Sequence, residues 1–188
     1  MSLAVEENSV TPEQYLEAER TAEYKSEYFG GEIFAMSGAS RKHNLITFNI
    51  SGILHRQLKG RACEAYTNDM RVKVSGLYTY PDVLVVCGKP VFDDAHRDTL
   101  LNPTLIIEVL SGSTEAYDRG KKFENYRTVL SISDYLLIAQ DKCCAEHYVR
   151  QTDGSWLFSE YKNPEDTVHV ASIECDITLE EIYEKIKW

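Results

Sequence analysis

The sequence predicts a mixed α+β fold, a sheet flanked by helices with additional antiparallel strands toward the C-terminus, and two observations carry this reading. Helix-type apolar periodicity at 40–59 and 115–130 alternates with short apolar runs of strand type at 62–67, 70–75, 82–87 and 104–110. Beyond 130 the pattern is strand-like at 132–139, 144–151 and 155–161, the last two joined across Asp153-Gly154, before a closing helix. At 188 residues, 43% of them apolar, the chain has the length and the core of one domain, read as 1–188 with 1–10 a flexible N-terminal segment.

The first helix starts at Thr11-Pro12-Glu13-Gln14, a Thr N-cap with Pro at the first helical position and Gln at the capping-box position. Between 26 and 37, apolar Tyr28, Phe29, Ile33, Phe34 and Met36 flank Gly30-Gly31, a two-residue hairpin signal. Leu45, Ile46, Phe48, Ile50, Ile53, Leu54 and Leu58 make 40–59 a long amphipathic helix closed by Gly60. Ser113 or Thr114 caps the helix at 115–130, and Thr178 opens the C-terminal helix that runs to Trp188.

Composition excludes several function classes. No apolar stretch approaches the ~18–20 residues of a membrane span, and Met1 to Glu7 have neither the basic nor the apolar region of a secretion signal, so a cytoplasmic location is expected. A formal charge of −10 argues against a protein that coats nucleic acid non-specifically, although an acidic site that takes up a cation before meeting a phosphate is compatible with it. Five cysteines, an odd number, are expected as reduced thiols. Cys143-Cys144 with His147 lacks the second ligand pair that a structural zinc site wants.

The chemistry centres on Glu108, a carboxylate inside the buried-strand run Leu105 to Leu110, which needs compensation. If 82–87 and 104–109 are antiparallel neighbours, matching their apolar spans sets Leu84 against Ile106 and therefore Asp82 against Glu108. Two carboxylates so opposed are tolerable mainly with a cation between them, and an oxygen-only set suits Mg²⁺, or Mn²⁺, with the carbonyl of Val109 as a further ligand. The alternative is a Glu108 paired with an arginine at a strand end and an Asp82 that is a turn residue. On the next helix, Phe123, Tyr126, Val129 and Leu130 define an apolar face from which Lys122 projects by roughly 50° and Lys121 by roughly 150°. Lys122 is thus aimed at the sheet, as a cation that orients water or offsets charge, or as a lysine snorkelling at the helix rim. Glu32, after the hairpin turn, is a third candidate carboxylate or a solvated one, and His43 is an auxiliary candidate or a packing residue.

Together these residues resemble the PD-(D/E)xK nuclease superfamily, and within it a bacterial family of restriction-endonuclease-like domains of unknown function. The likeness runs over about 28–140 and rests on Gly31-Glu32, His43, Pro81-Asp82, Pro103, Glu108-Val109-Leu110-Ser111, Ser113-Thr114, Asp118, Lys122 and Tyr126. It implies a restriction-endonuclease-like fold and Mg²⁺-dependent DNA hydrolysis, with Asp82 and Glu108 as metal ligands and Glu32 and Lys122 assisting. Asp118 and Tyr126 join His43 as auxiliary residues. The chain departs from the superfamily pattern at Leu110, where the lysine should stand, and in this family that lysine has moved to Lys122. Gly112, Ser131-Ile132 and Leu136 are further departures that concern packing. The rivals are a catalytically weak binding or assembly module, with a homodimer as one form, and a nuclease on RNA or branched DNA.

Overall fold

The structure, a computed structural model, describes residues 9–36 and 38–188. Most of the expected flexible segment, residues 1–8, lies outside them. Val10 is pinned, its N–H donating to the Gly31 carbonyl at 3.1 Å and its carbonyl accepting from the Tyr28 hydroxyl at 2.9 Å.

Helix α1 (Pro12–Glu19) begins at Thr11 with the reciprocal capping box expected of it. The hairpin β1 (Ser26–Phe29) and β2 (Glu32–Ala35) turns on Gly30 and Gly31, whose φ of 60° and 96° meet the positive values that a two-residue type I′ turn demands. Helix α2 (Arg41–Gln57) is capped by the Ser40 hydroxyl, which accepts from the His43 N–H. Five strands follow: β3 (Cys63–Thr67), β4 (Arg71–Val74), β5 (Leu77–Thr79), β6 (Val83–Cys87) and β7 (Thr99–Leu100). Strand β8 (Leu105–Leu110) then crosses over to β9 (Asp134–Ala139), to which it runs parallel.

That crossover differs from the expected continuous helix. It is α3 (Glu115–Tyr117), a π-helical turn over Asp118–Lys122, and α4 (Phe123–Tyr126), after which the chain turns and leaves Leu130 85% exposed. Asp118 and Lys122, four apart across this turn, face the same way, Nζ of Lys122 lying 3.4 Å from Oδ1 of Asp118. Strands β10 (Ala145–Arg150) and β11 (Trp156–Tyr161) extend the sheet, a ribbon of β12 (Thr167–Val170) and β13 (Cys175–Thr178) follows, and α5 (Leu179–Ile182) ends short of the expected length.

Two mixed sheets result rather than one, ordered β2-β1-β5-β4-β7 and β11-β10-β9-β8-β6-β3. Side chains alternate across a strand, so odd-numbered residues of β6 and β8 (Val83, Val85, Ile107, Val109) pack under α2 and the C-terminal ribbon. Even-numbered ones (Leu84, Val86, Ile106, Leu110) pack toward the five-stranded sheet and Tyr126. Asp82 and Glu108 belong to this second face. Among the described residues, no helix is long and apolar enough to cross a membrane.

One cysteine expectation is corrected. The antiparallel register of β3 and β6 sets Cys63 opposite Cys87, and the two are joined as a disulfide, whereas Cys143, Cys144 and Cys175 are free. His147 is turned to the buried Asp134, with Nε2 2.6 Å from Oδ1.

Candidate active site

The even-numbered face of β6 and β8 opens into a cleft of about 810 Å³ between the hairpin, the start of α2 and the π turn. Leu84 pairs with Ile106 in the register expected from the apolar spans, which carries Asp82 to the level of Glu108 at the mouth of the two strands. Asp82 Oδ2 accepts the Val109 N–H at 2.7 Å, and His43 Nε2 lies 3.1 Å from the same oxygen. A residue in a strand points its N–H and C=O to the same side, so the Val109 carbonyl lies on the Asp82 side of β8.

Glu108 is 3% exposed, and its Oε1 accepts the Tyr126 hydroxyl at 2.9 Å and faces Lys122 Nζ at 3.0 Å. The same ammonium lies 3.4 Å from Asp118 Oδ1 and 3.3 Å from Glu27 Oε1. Glu27 also accepts from the Thr79 hydroxyl. Burial pushes the Glu108 carboxyl up to about 8; the pull of Lys122 works against this, and Asp118 and Asp82 add to it. Burial likewise raises Asp118. Burial disfavours the charged form of Lys122, yet Glu108, Glu27 and Asp118 outweigh it and hold the ammonium well above its ordinary value.

The floor of the cleft therefore sets three carboxylates, Glu27, Glu108 and Asp118, around one buried ammonium, with a fourth, Asp82, lining the same cleft at the level of Glu108. Among the described residues, protein contacts are taken up by Oδ2 of Asp82 and Oε1 of Glu108, which leaves the second oxygen of each acid for an outside ligand. With the Val109 carbonyl they make an oxygen-only donor set of the kind a hard divalent cation prefers, completed by water and substrate. An excess of acids over bases in a half-closed cleft is costly without such a charge.

The structure brings together Asp82, Glu108, Val109, Lys122, His43, Asp118 and Tyr126. Glu32 it leaves out. Its partner across the hairpin is Phe29, which puts it on the cleft face but at the turn end, exposed and outside the lining. Glu27, one strand away, fills the place that Glu32 was expected to take. The signal was parity: the Gly30-Gly31 turn fixes the register, which puts Glu27 on one face with Phe29 and opposite Phe34. Lys121, exposed as expected, nevertheless lies on the rim of the cleft, its Nζ 4.6 Å from the centre of the Phe29 ring.

Residues 12–180 match the model of the Uma2 family, described as "Putative restriction endonuclease". Two uncharacterized proteins of Synechocystis sp. are similar: sll1609 at 41% identity over 153 residues (80% of this chain, 86% of that protein) and slr1290 at 36% over 176 residues (93% and 91%). A crystal structure from Anabaena variabilis, of "a putative nuclease belonging to DUF820", superimposes with a TM-score of 0.72 at 20% identity, covering 86% of this chain and 91% of that one. At that identity the likeness speaks for the fold.

Proposed function

The chain belongs to the Uma2 family, and from that premise we propose that it is a divalent-metal-dependent endonuclease that hydrolyses DNA phosphodiester bonds in the cleft just described. One observation carries the reading: a cleft floor of four carboxylates, three of them around a single buried lysine, with one free oxygen on each of Asp82 and Glu108. Asp82, Glu108 and the Val109 carbonyl would hold Mg²⁺ or Mn²⁺. When bound, such an ion supplies Lewis acidity at a phosphate oxygen and a more acidic water.

The protein's own groups do the rest. His43 and the Val109 N–H fix the Asp82 carboxylate from two directions, so that its remaining oxygen keeps one orientation. Tyr126 does the same for Glu108. Glu27 and Asp118 hold Lys122 charged and centred, and its ammonium orients a water or offsets charge that develops on the phosphate. Lys122 thus fills the role of the superfamily lysine from the crossover rather than from the strand.

The test is nicking of supercoiled plasmid with Mg²⁺ or Mn²⁺. Wild type is expected to cut, Asp82→Asn and Lys122→Met to lose cutting, and Glu32→Gln to keep it. Equal cutting by wild type and Asp82→Asn would overturn the assignment.

A further inference from the structure

The hairpin that delivers Glu27 carries a second feature which the hydrolytic reading does not use. Its register places Phe34 directly opposite Glu27, and alternation puts Phe29 and Met36 on the same face. All three side chains line the cleft, with Phe34 47% and Met36 40% exposed. Strand β2 is the outer strand of its sheet, so this apolar rim has an open side. Directly opposed residues have Cβ atoms ~5 Å apart, and Glu27 itself reaches Lys122 at 3.3 Å. The rim thus begins about one nucleotide's width from the carboxylate floor. Two lysines flank it: Lys121 against the Phe29 ring and Lys25 farther along the cleft wall.

We propose that this rim is a base-stacking platform, and that the substrate class of the cleft is DNA with an unpaired strand at the point of cutting. The proposal rests on the hydrolytic reading above and narrows it. A duplex keeps the faces of its bases hidden in the stack, so an aromatic rim beside the floor gains contact only with a base that has left it. Lys121 supplies positive charge beside the Phe29 ring for the phosphate of a stacked nucleotide, whereas Lys25 is already paired with Asp69. A second copy of the chain seated on β2 would cover the same side chains and is the rival occupant.

The experiment uses a 20-nucleotide DNA single strand with 2-aminopurine at its centre, the matching duplex, and a duplex with an unpaired 3′ arm, all with Ca²⁺ to hold binding apart from turnover. Stacking on a ring quenches 2-aminopurine. The expected result is saturable quenching on the single strand and the unpaired arm, and binding to both at least tenfold tighter than to the duplex. Phe34→Ala should weaken that binding on the order of tenfold and lose the quench. Phe34→Trp should retain both, and Ile33→Ala, on the opposite face of β2 and 46% exposed, should match wild type. Equal affinity for duplex and single strand, or quenching unaltered in Phe34→Ala, overturns the platform. So does a dimer in solution that Phe34→Ala dissolves. Cleavage with Mn²⁺, read separately, distinguishes the two claims: quenching without cleavage upholds the platform and removes hydrolysis, whereas cleavage of duplex without quenching removes the platform alone.

Discussion

Replacing Lys122 by methionine keeps the aliphatic stem and removes an ammonium that lies 3.0, 3.3 and 3.4 Å from Glu108, Glu27 and Asp118. Above about pH 8, where Glu108 is ionised, and at an effective dielectric of ~20, each contact is a gross attraction of ~5 kcal/mol. Most of it offsets the cost of burying the charges, and breaking a buried pair from one side costs a net ~3–5 kcal/mol. For a chain of this size that is a fall in Tm of roughly 6–20 °C in chelator. A divalent cation held by Asp82 and Glu108 should then matter more to the variant than to wild type, because a like charge has left its surroundings. Mn²⁺ at ~100 times its Kd returns ~2.7 kcal/mol. The assay is thermal unfolding of both proteins in chelator and across a Mn²⁺ series. A variant as stable as wild type in chelator, or one whose Tm ignores Mn²⁺, would refute the reasoning.

The raised Glu108 carboxyl has a definite pH signature: its ionised form is disfavoured by folding, so metal-free stability should decline as pH rises from ~4.3, the ordinary glutamate value, through about 8. Glu108→Gln should flatten that decline, and Mn²⁺ affinity should rise over the same window, read by unfolding and by calorimetry. Asp98 runs the other way. Arg20 and Arg71 hold it down to about 2, so its contribution is present above the ordinary aspartate value and lost as pH falls through that lower one. Discounted for its 34% exposure, Asp98→Asn should cost about 1 kcal/mol at pH 7 and nothing near pH 2 by denaturant titration. The Cys63–Cys87 bridge closes 24 residues of chain, so reductant should lower stability by ~2–4 kcal/mol. Thiol titration of the unreduced, unfolded protein should find Cys143, Cys144 and Cys175 alone, and five reactive thiols would contradict the bridge.

What the sequence revealed of the site depended on how local the constraint was. The alignment of Asp82 with Glu108 follows from two apolar runs that can be buried together in one way, and the structure keeps that register. Lys122 points inward as the helical wheel expects, although the wheel assumed a regular helix and counted Leu130 as buried; the π turn preserves the direction, with Lys122 drawn to Asp118 one turn back and to Glu27 and Glu108 of the two sheets. Glu27 was missed because a glutamate between Ser26 and Tyr28 reads as the solvent side of a hairpin; the turn's parity puts it on the face of Phe29 and Phe34, and the pairing of β1 with β5 sets that face in the interior. The Cys63–Cys87 bridge was hidden for a related reason: the pairing of β3 with β6 is set by the whole sheet and not by either strand. The short β5, β7, β12 and β13 carry too few residues for alternation to register.

The central claim is that Asp82 and Glu108 together hold a divalent cation. Mn²⁺ bound to protein loses the sharp six-line resonance of the free ion, so a paramagnetic-resonance titration counts sites directly. Wild type is predicted to bind one Mn²⁺ per chain with a Kd in the millimolar range or below, and Asp82→Asn/Glu108→Gln to leave the free-ion signal untouched. Equal binding by the double variant would contradict the account.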